Sequence, residues 1–305
     1  MRRFLLFKKL SHYFELTFDQ DTPDVLIYSC YGTNFRKYRT TRIYFTGENS
    51  RPNYHHCDFS LSYRRDRSGR NVHFPYYLFG DLSELEQSPR PSFGPKQKFC
   101  NFIYNNAGCE FRNQFYHALS KHRKINAAGK VFNNTPGLKG RFAGGYRQSK
   151  IDFIKPFKFT LAFENESYPG YTTEKLADAL LAGTVPIYWG DPKVSERFNP
   201  AAFINCHDFP NMADAIDHVL AVDRDDDLYR KYLEAPVLRL GATGFADQVD
   251  RAIHQVAQSI KNRTGKRAYQ SLQSRVLYHA PPRIAHKLIR IYNKVMQTER
   301  ARMFP

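Results

Sequence analysis

The sequence predicts an α/β protein built on parallel β-sheets, and two patterns carry that prediction. The strand candidates are short, almost continuously apolar runs that end in turn residues, which is typical of strands buried on both faces. Later in the chain they alternate with helix candidates over short links, and this order predicts right-handed crossovers. With 305 residues, the chain has the length of two modest domains.

The first strand candidates lie near the N-terminus. Asp24–Ser29 and Arg42–Thr46 are each short and apolar, and turn residues follow both. The clearest break in the sequence is Ser88–Pro95, which has three prolines and a glycine and therefore cannot continue a helix or a strand. We interpret it as the linker between a domain at residues 1–92 and a second domain at residues 93–270.

The second domain has the more regular pattern. Its strand candidates are Lys98–Tyr104, Phe157–Phe163 and Val185–Trp189. Its helix candidates are Arg112–His122, Thr173–Ala182, Ala213–Leu220 and Gln248–Ser259. Gly183 stands where a helix C-terminal cap prefers glycine.

Residues 271–305 form a basic tail. From Lys261 to Pro305 the sequence has eleven Lys or Arg against one acidic residue, Glu299. Between Pro281 and Met303 the apolar residues recur at helical spacing, so the pattern predicts a basic amphipathic helix. This helix either binds an anionic membrane surface or packs on the protein body.

The net charge of +17 is compatible with nucleic acid, anionic lipid or an anionic small substrate as a partner. The five cysteines are odd in number, widely spaced and without a CxxC pair, which argues against a disulfide framework or a zinc site. No apolar run reaches the length of a membrane span. We therefore expect a cytoplasmic protein, which lies on the inner face of the membrane if the tail binds lipid.

The segment Phe157–Asp191 carries the chemistry. It reads as a strand, a polar loop with Pro and Gly, and a helix N-terminus, the place where ligands of open α/β sheets collect. Lys175 falls in the first turn of the predicted helix, where the helix dipole disfavours a cation. Either an anion binds there, or Lys175 is an ordinary exposed lysine; the residues alone leave both open.

This segment contains three sequence strings in order: Ala-Phe-Glu-Asn, Tyr-Thr-Thr-Glu-Lys-Leu and Gly-Thr-Val-Pro-Ile-Tyr-Trp-Gly. Together they resemble the signature of the α1,3-fucosyltransferases, glycosyltransferase family ten, and most closely that of the bacterial members. Further pieces are similar to the family in the same order: Tyr44–Asn49, Phe111–Asn113, Phe198–Pro200 and Phe203–Asn205.

The resemblance implies a GT-B fold, with two Rossmann-like domains facing across a cleft. It implies GDP-fucose as the donor, a glycan or glycolipid acceptor, and a displacement that inverts the anomeric centre. By the same resemblance Glu48 is the general base, and Arg112 and Lys175 bind the donor phosphates. Asn165, Tyr171 and Glu174 surround the fucose and the nucleotide. Two cations can stabilise a departing diphosphate, so no metal cofactor is expected.

Two other functions compete with this interpretation. Asp223–Asp227 contains the Asp-x-Asp pattern of metal-dependent glycosyltransferases, but it lies between two predicted helices, and we interpret it as a solvated helix start. A non-enzymatic nucleic-acid-binding protein would need basic and aromatic residues interleaved on one surface. Since the charge is concentrated in the tail and near the predicted phosphate site, we expect no nucleic-acid partner.

Overall fold

The computed structural model describes most of the chain, and the statements below concern that part. The described residues are 5–65, 69–80, 82–86, 94–136, 138, 145–263 and the backbone of 273–279. They belong to two compact units. The first contains the residues up to Phe79 and those from Asp247 onwards, and the second contains Gly80–Arg141 and Gly145–Ala246.

The described part contains seven α-helices and eleven β-strands, numbered here in chain order. The helices are α1 Leu5–Leu10, α2 Glu110–Ser120, α3 Tyr146–Ile154, α4 Glu174–Leu181, α5 Met212–Arg224, α6 Asp226–Glu234 and α7 Phe245–Arg263. The strands are β1 Glu15–Thr17, β2 Val25–Tyr28, β3 Thr41–Phe45, β4 Phe59–Ser62, β5 Asn71–His73, β6 Lys98–Phe102, β7 Ile125–Ala127, β8 Phe157–Phe163, β9 Val185–Trp189, β10 Ile204–Asn205 and β11 Gln273–His279.

The first unit has a parallel sheet in the order β1-β11-β2-β3-β4-β5. All four residues of β2 and of β4 are buried, as expected for strands covered on both faces. The register pairs Tyr28 of β2 with Tyr44 of β3. The segments that follow these two strands therefore leave the sheet at the same edge.

The second unit has a parallel sheet in the order β10-β9-β8-β6-β7. Its central strand β8 is buried at every position except Lys158. Helices α2 and α5 pack on a core that includes Phe102, Phe115 and Phe163. The carboxyl ends of β6, β8 and β9 meet at one edge, where the candidate site lies.

The α/β prediction with parallel sheets is confirmed, and β8 and β9 have the predicted bounds. Gly183 has a positive φ of 66° directly after the last turn of α4, in agreement with its predicted capping role. The predicted domain bounds at 92 and 270 differ from the division between the units. The chain returns to the first unit at Asp247, in α7, and β11 then inserts between β1 and β2, a pairing that no local pattern indicates.

Two predictions concern segments that lie largely outside the described residues. The predicted linker lies outside the described residues except at its last two positions, and so does the amphipathic helix of the tail. Within the described part, no helix is both long and apolar enough to cross a membrane.

Candidate active site

The centre of the site is Glu164, the residue that directly follows β8. Its backbone N–H donates to the carbonyl of Trp189 at 2.7 Å, which extends the pairing of β8 with β9 by one residue. The chain then leaves the sheet in a polar loop and returns as α4, whose N-cap is Thr173. The carboxylate of Glu164 therefore lies at the N-terminus of the helix that carries Lys175.

Glu164 is fully buried and its carboxylate is saturated with donors. Oε1 accepts from the backbone N–H of Thr173 at 2.7 Å, and the hydroxyl of Thr173 lies within 2.9 Å of both carboxylate oxygens. Oε2 accepts from the ammonium of Lys175 at 2.9 Å. The carboxylate of Glu164 therefore accepts from the backbone N–H of the N-cap residue of α4, and it also forms an ion pair with Lys175.

The side chain of Lys175 is only 18% exposed. Lys175 is therefore not an ordinary exposed lysine, which is one of the two interpretations that the sequence leaves open. Burial disfavours its charged form, but the carboxylates of Glu164 and Glu174 outweigh this and raise the pKa of Lys175 above its ordinary value of 10.5. Burial raises the pKa of Glu164, against the opposite effect of Lys175. The anion expected at this turn is supplied by the protein itself.

The ammonium of Lys175 retains capacity for a ligand. It donates to Glu164 and to the hydroxyl of Thr173, the latter at 2.8 Å. An ammonium has three N–H groups. Within the described part of the chain, its third donor is available to an acceptor from outside.

Gly190 makes room for this carboxylate. A Cβ at Gly190 would lie 2.5 Å from Cγ of Glu164 and 2.9 Å from the hydroxyl of Tyr188. Both distances are far below ordinary contact, so no other residue fits there without displacing Glu164. The neighbouring Asp191 is also buried and accepts from the N–H of Gly170 at 2.7 Å, which holds the loop before α4.

Arg112, in the first turn of α2, is also fully buried. Its guanidinium donates to Oδ1 of Asn165 at 2.9 Å and to the carbonyl of Asn106, and it lies 4.1 Å from the ring centroid of Tyr104. Its Nε is buried and has no hydrogen-bond partner in the described part of the chain. Among the described residues no carboxylate pairs with it, so its charge is uncompensated.

Tyr104 interacts electrostatically with both Arg112 and Lys175. Its hydroxyl donates to the carbonyl of Leu161 and accepts from the N–H of Phe163, each at 2.7 Å, beyond the end of β6. Burial raises the pKa of Tyr104, although the charges of Arg112 and Lys175 act in the other direction. Both cations are therefore close enough to this phenol to act on it electrostatically.

The remaining predicted donor-site residues lie at the same edge. Tyr171 is buried in the loop before α4 and interacts electrostatically with Lys175. Glu174 is 31% exposed, and its carboxylate is 4.0 Å from the ammonium of Lys150. That ammonium, on α3, also lies 2.9 Å from the buried Asp178 of α4. The two helices are thus tied together next to the site.

Glu48, the predicted base, belongs to the first unit. It follows β3 after Thr46 and Gly47, is half-buried, and its N–H donates to the hydroxyl of Thr46 at 3.0 Å. Its Oε1 accepts from the hydroxyl of Tyr31 at 3.0 Å. A Cβ at Gly47 would lie 2.6 Å from the ring of Tyr76, which explains a glycine at this approach.

The acidic cluster of the rival interpretation is occupied by other contacts. Asp225 caps α6 by accepting from two backbone N–H groups, as predicted for a helix start. Asp223 is not solvated as predicted, because it is buried and paired with Lys158 at 3.1 Å and with Arg123. These contacts give the cluster a structural role.

Sequence reasoning did not assign Glu164, Tyr104 or Lys150 to the site. Glu164 had a usable signal, since it is a carboxylate directly after a buried strand at the edge where ligands collect. Tyr104 and Lys150 had none, because their role depends on contacts with residues far along the chain.

Comparison with known proteins identifies the family. Residues 94–274 match the model of the glycosyltransferase family 10 (fucosyltransferase) C-terminal region, and residues 2–80 match the N-terminal domain of the alpha-(1,3)-fucosyltransferase FucT. The alpha-(1,3)-fucosyltransferase FucT of Helicobacter pylori is 30% identical over 58% of this chain and 43% of its own length. Mouse alpha-(1,3)-fucosyltransferase 4 is 34% identical over 57% of this chain and 40% of its own length.

The chain spans less than half the length of these relatives. Among solved structures, an α1,3-fucosyltransferase with GDP covers 86% of both chains with a TM-score of 0.71 at 24% identity. An α1,3-fucosyltransferase with GDP-fucose covers 86% of this chain and 98% of its own, with a TM-score of 0.62 at 21% identity. These likenesses show that the fold is that of the GT-B fucosyltransferases.

Proposed function

Because the chain belongs to glycosyltransferase family 10, the fucosyltransferases, we propose that it transfers L-fucose from GDP-fucose to a glycan hydroxyl. The proposed acceptor atom is O3 of GlcNAc or Glc in a lactosamine- or lactose-type glycan, as in Lewis-type surface glycans. The names of the H. pylori and mouse relatives support the α1,3 linkage, and the titles of the similar structures support the donor.

The observation that carries the proposal is the uncompensated charge of Arg112. A fully buried guanidinium without a carboxylate is costly, and the face of Tyr104 offsets only part of that cost. A diphosphate at the adjacent sheet edge would supply the missing negative charge. Lys175 differs from Arg112 in this respect, because the carboxylates of Glu164 and Glu174 both act on its ammonium.

The two cations have different proposed roles. Lys175 has a donor available and is partly exposed, so it binds a phosphate oxygen directly. Arg112 is 0% exposed, so it acts through its charge and by orienting Asn165. Tyr171 and Glu174, next to Lys175, line the fucose and nucleotide side of the same site.

The chemistry then follows from the charges. Glu48 takes the proton of the acceptor hydroxyl as its oxygen attacks C1 of fucose. The bond from C1 to the β-phosphate oxygen breaks, and the electron pair leaves with GDP. Attack from the face opposite the leaving group inverts the anomeric centre. Arg112 and Lys175 stabilise the charge that gathers on the diphosphate, so no metal is required.

The experiment combines transfer and binding. The protein is incubated with GDP-fucose and a panel of lactose, N-acetyllactosamine and type 1 chain acceptors, and product linkage is assigned by mass spectrometry and NMR. In parallel, GDP binding is measured by calorimetry for Lys175→Met and for Lys155→Met, an exposed lysine at the other end of β8.

We expect a fucosylated product and, for Lys175→Met alone, GDP affinity lower by about tenfold or more, the loss of one charge-assisted hydrogen bond. The absence of product with every acceptor would refute the proposed reaction. Equal GDP affinity in the two variants would refute the proposed donor site.

A further inference from the structure

Tyr31 lies beside Glu48 because of the sheet topology. It follows β2 by three residues, Glu48 follows β3 by three residues, and these two strands are parallel neighbours in register. The hydroxyl of Tyr31 donates to Oε1 of Glu48 at 3.0 Å. The contact joins two adjacent turns at the carboxyl edge of the first sheet.

This hydrogen bond makes the two carboxylate oxygens of Glu48 differ in their hydrogen bonding. Oε1 is held by Tyr31, whereas Oε2 accepts no hydrogen bond from the described residues. The backbone around Glu48 is fixed on both sides, since its N–H donates to Thr46 and its carbonyl accepts from Ser50 at 2.7 Å. A base must place one oxygen within hydrogen-bond reach of the hydroxyl that it deprotonates, and Oε2 is the oxygen left for that task.

Tyr31 is 42% exposed, one of the few large hydrophobic residues of the described part with that exposure. A hydroxyl bound to Oε2 belongs to a sugar whose ring extends only a few ångströms further. A tyrosine combines an apolar face with a polar tip, which suits a surface that contacts both the C–H groups and the hydroxyls of a sugar.

We propose that Tyr31 positions Glu48 for proton transfer and contacts the acceptor sugar with its ring. The inference rests on the proposed function and adds an acceptor-side residue to it. The hydroxyl acts on the rate through Glu48, and the ring acts on acceptor affinity. The two parts can be removed separately.

The test compares Tyr31→Phe, Tyr31→Ala and the control Tyr38→Phe. Tyr38 lies in the same unit, and its hydroxyl donates to the carbonyl of Gln20 at the same distance, 3.0 Å. For each variant we would measure kcat, the KM for the acceptor, the dissociation constant of GDP and the melting temperature. GDP binding reports whether the donor site is intact, and the melting temperature reports on folding.

We expect Tyr31→Phe to lower kcat about tenfold, as for a lost hydrogen bond to a charged group, with acceptor KM and GDP binding unchanged. Tyr31→Ala should in addition raise the acceptor KM about fivefold, the scale of an aromatic contact. Tyr38→Phe should match the wild type in both constants.

Equal kcat in Tyr31→Phe and Tyr38→Phe would refute the positioning role, and equal acceptor KM in Tyr31→Phe and Tyr31→Ala would refute the sugar contact. In both cases an active wild type leaves the proposed function standing. A wild-type protein that binds GDP and transfers no fucose would refute the proposed function and this inference together.

Discussion

Replacing Lys175 with methionine should have two effects, one on stability and one on the donor site. The substitution leaves the carboxylate of Glu164 buried without its counter-charge. Breaking a buried ion pair from one side costs about 3–5 kcal/mol. Because the ammonium is 18% exposed and both donors of Thr173 remain, we expect about 3 kcal/mol, the lower end of that range. For a domain of this size, this lowers the melting temperature by about 6–12 °C.

The stability loss can be separated from the binding loss by a second substitution. Glu164→Gln retains an oxygen that accepts from the N–H of Thr173, and it removes the charge that Lys175 neutralised. In the double variant Glu164→Gln with Lys175→Met, both charges of the buried ion pair are removed together, so neither is left without its partner. We therefore expect its stability to return to within about 1 kcal/mol of the wild type. GDP affinity should remain low, because the donor of the proposed phosphate contact is absent.

Stability is measured by chemical denaturation of all four proteins of the cycle, and GDP affinity by calorimetry at fixed salt. If Lys175→Met is as stable as the wild type, the ion pair of Lys175 with Glu164 does not contribute to stability as expected. If the double variant binds GDP with wild-type affinity, the proposed donor site is refuted. A double variant that is stable and binds GDP weakly is the expected result.

Four further outcomes are expected. Glu48→Gln should lower kcat by about 10²–10⁴-fold with GDP affinity unchanged, and a wild-type kcat on a verified acceptor would assign proton transfer to another group. Transfer should survive EDTA, whereas loss that Mn²⁺ restores would require a metal. Gly190→Ala should reduce stability and GDP affinity together, because its methyl group would meet Cγ of Glu164 at 2.5 Å, and unchanged values would contradict this packing. The free energy of unfolding should fall as pH rises past about 10, since the unfolded state loses protons that buried tyrosines retain, and a pH series of denaturation curves checks it. Burial raises the pKa of these tyrosines above the ordinary value of 10.0: Tyr28, Tyr44, Tyr104 and Tyr188.

The elements that carry the candidate site could be predicted because their apolar character is visible in the local sequence. Strands β8 and β9 are apolar along nearly their whole length, and α4 ends at a glycine with a positive φ. Strands β1, β5 and β7 have only three residues each, too few to display a period. The insertion of β11 between β1 and β2 depends on a long-range pairing and has no local signal.

The site was predictable in position but less so in its electrostatics. The sequence placed Lys175 and Arg112 at helix starts, which the structure confirms. It did not predict that Glu164, eleven residues before Lys175, supplies the partner of that cation. It also gave no reason to bury Arg112, since an arginine in a first helical turn is ordinarily exposed. The loop around Asn106 and the ring of Tyr104 cover it, and both contacts depend on tertiary packing.

The different environments of the two cations have a physical reason, since both act electrostatically on the same buried phenol of Tyr104. Two unpaired buried charges of the same sign would repel each other and would each carry a desolvation cost. Glu164 removes most of that cost for Lys175 and still leaves the ammonium one donor for a ligand. Arg112 retains its net charge but presents no exposed N–H, so on the proposed function its field would attract a diphosphate that Lys175 would then bind. On the proposed function, this division requires both residues: loss of Arg112 weakens the attraction, and loss of Lys175 removes the contact.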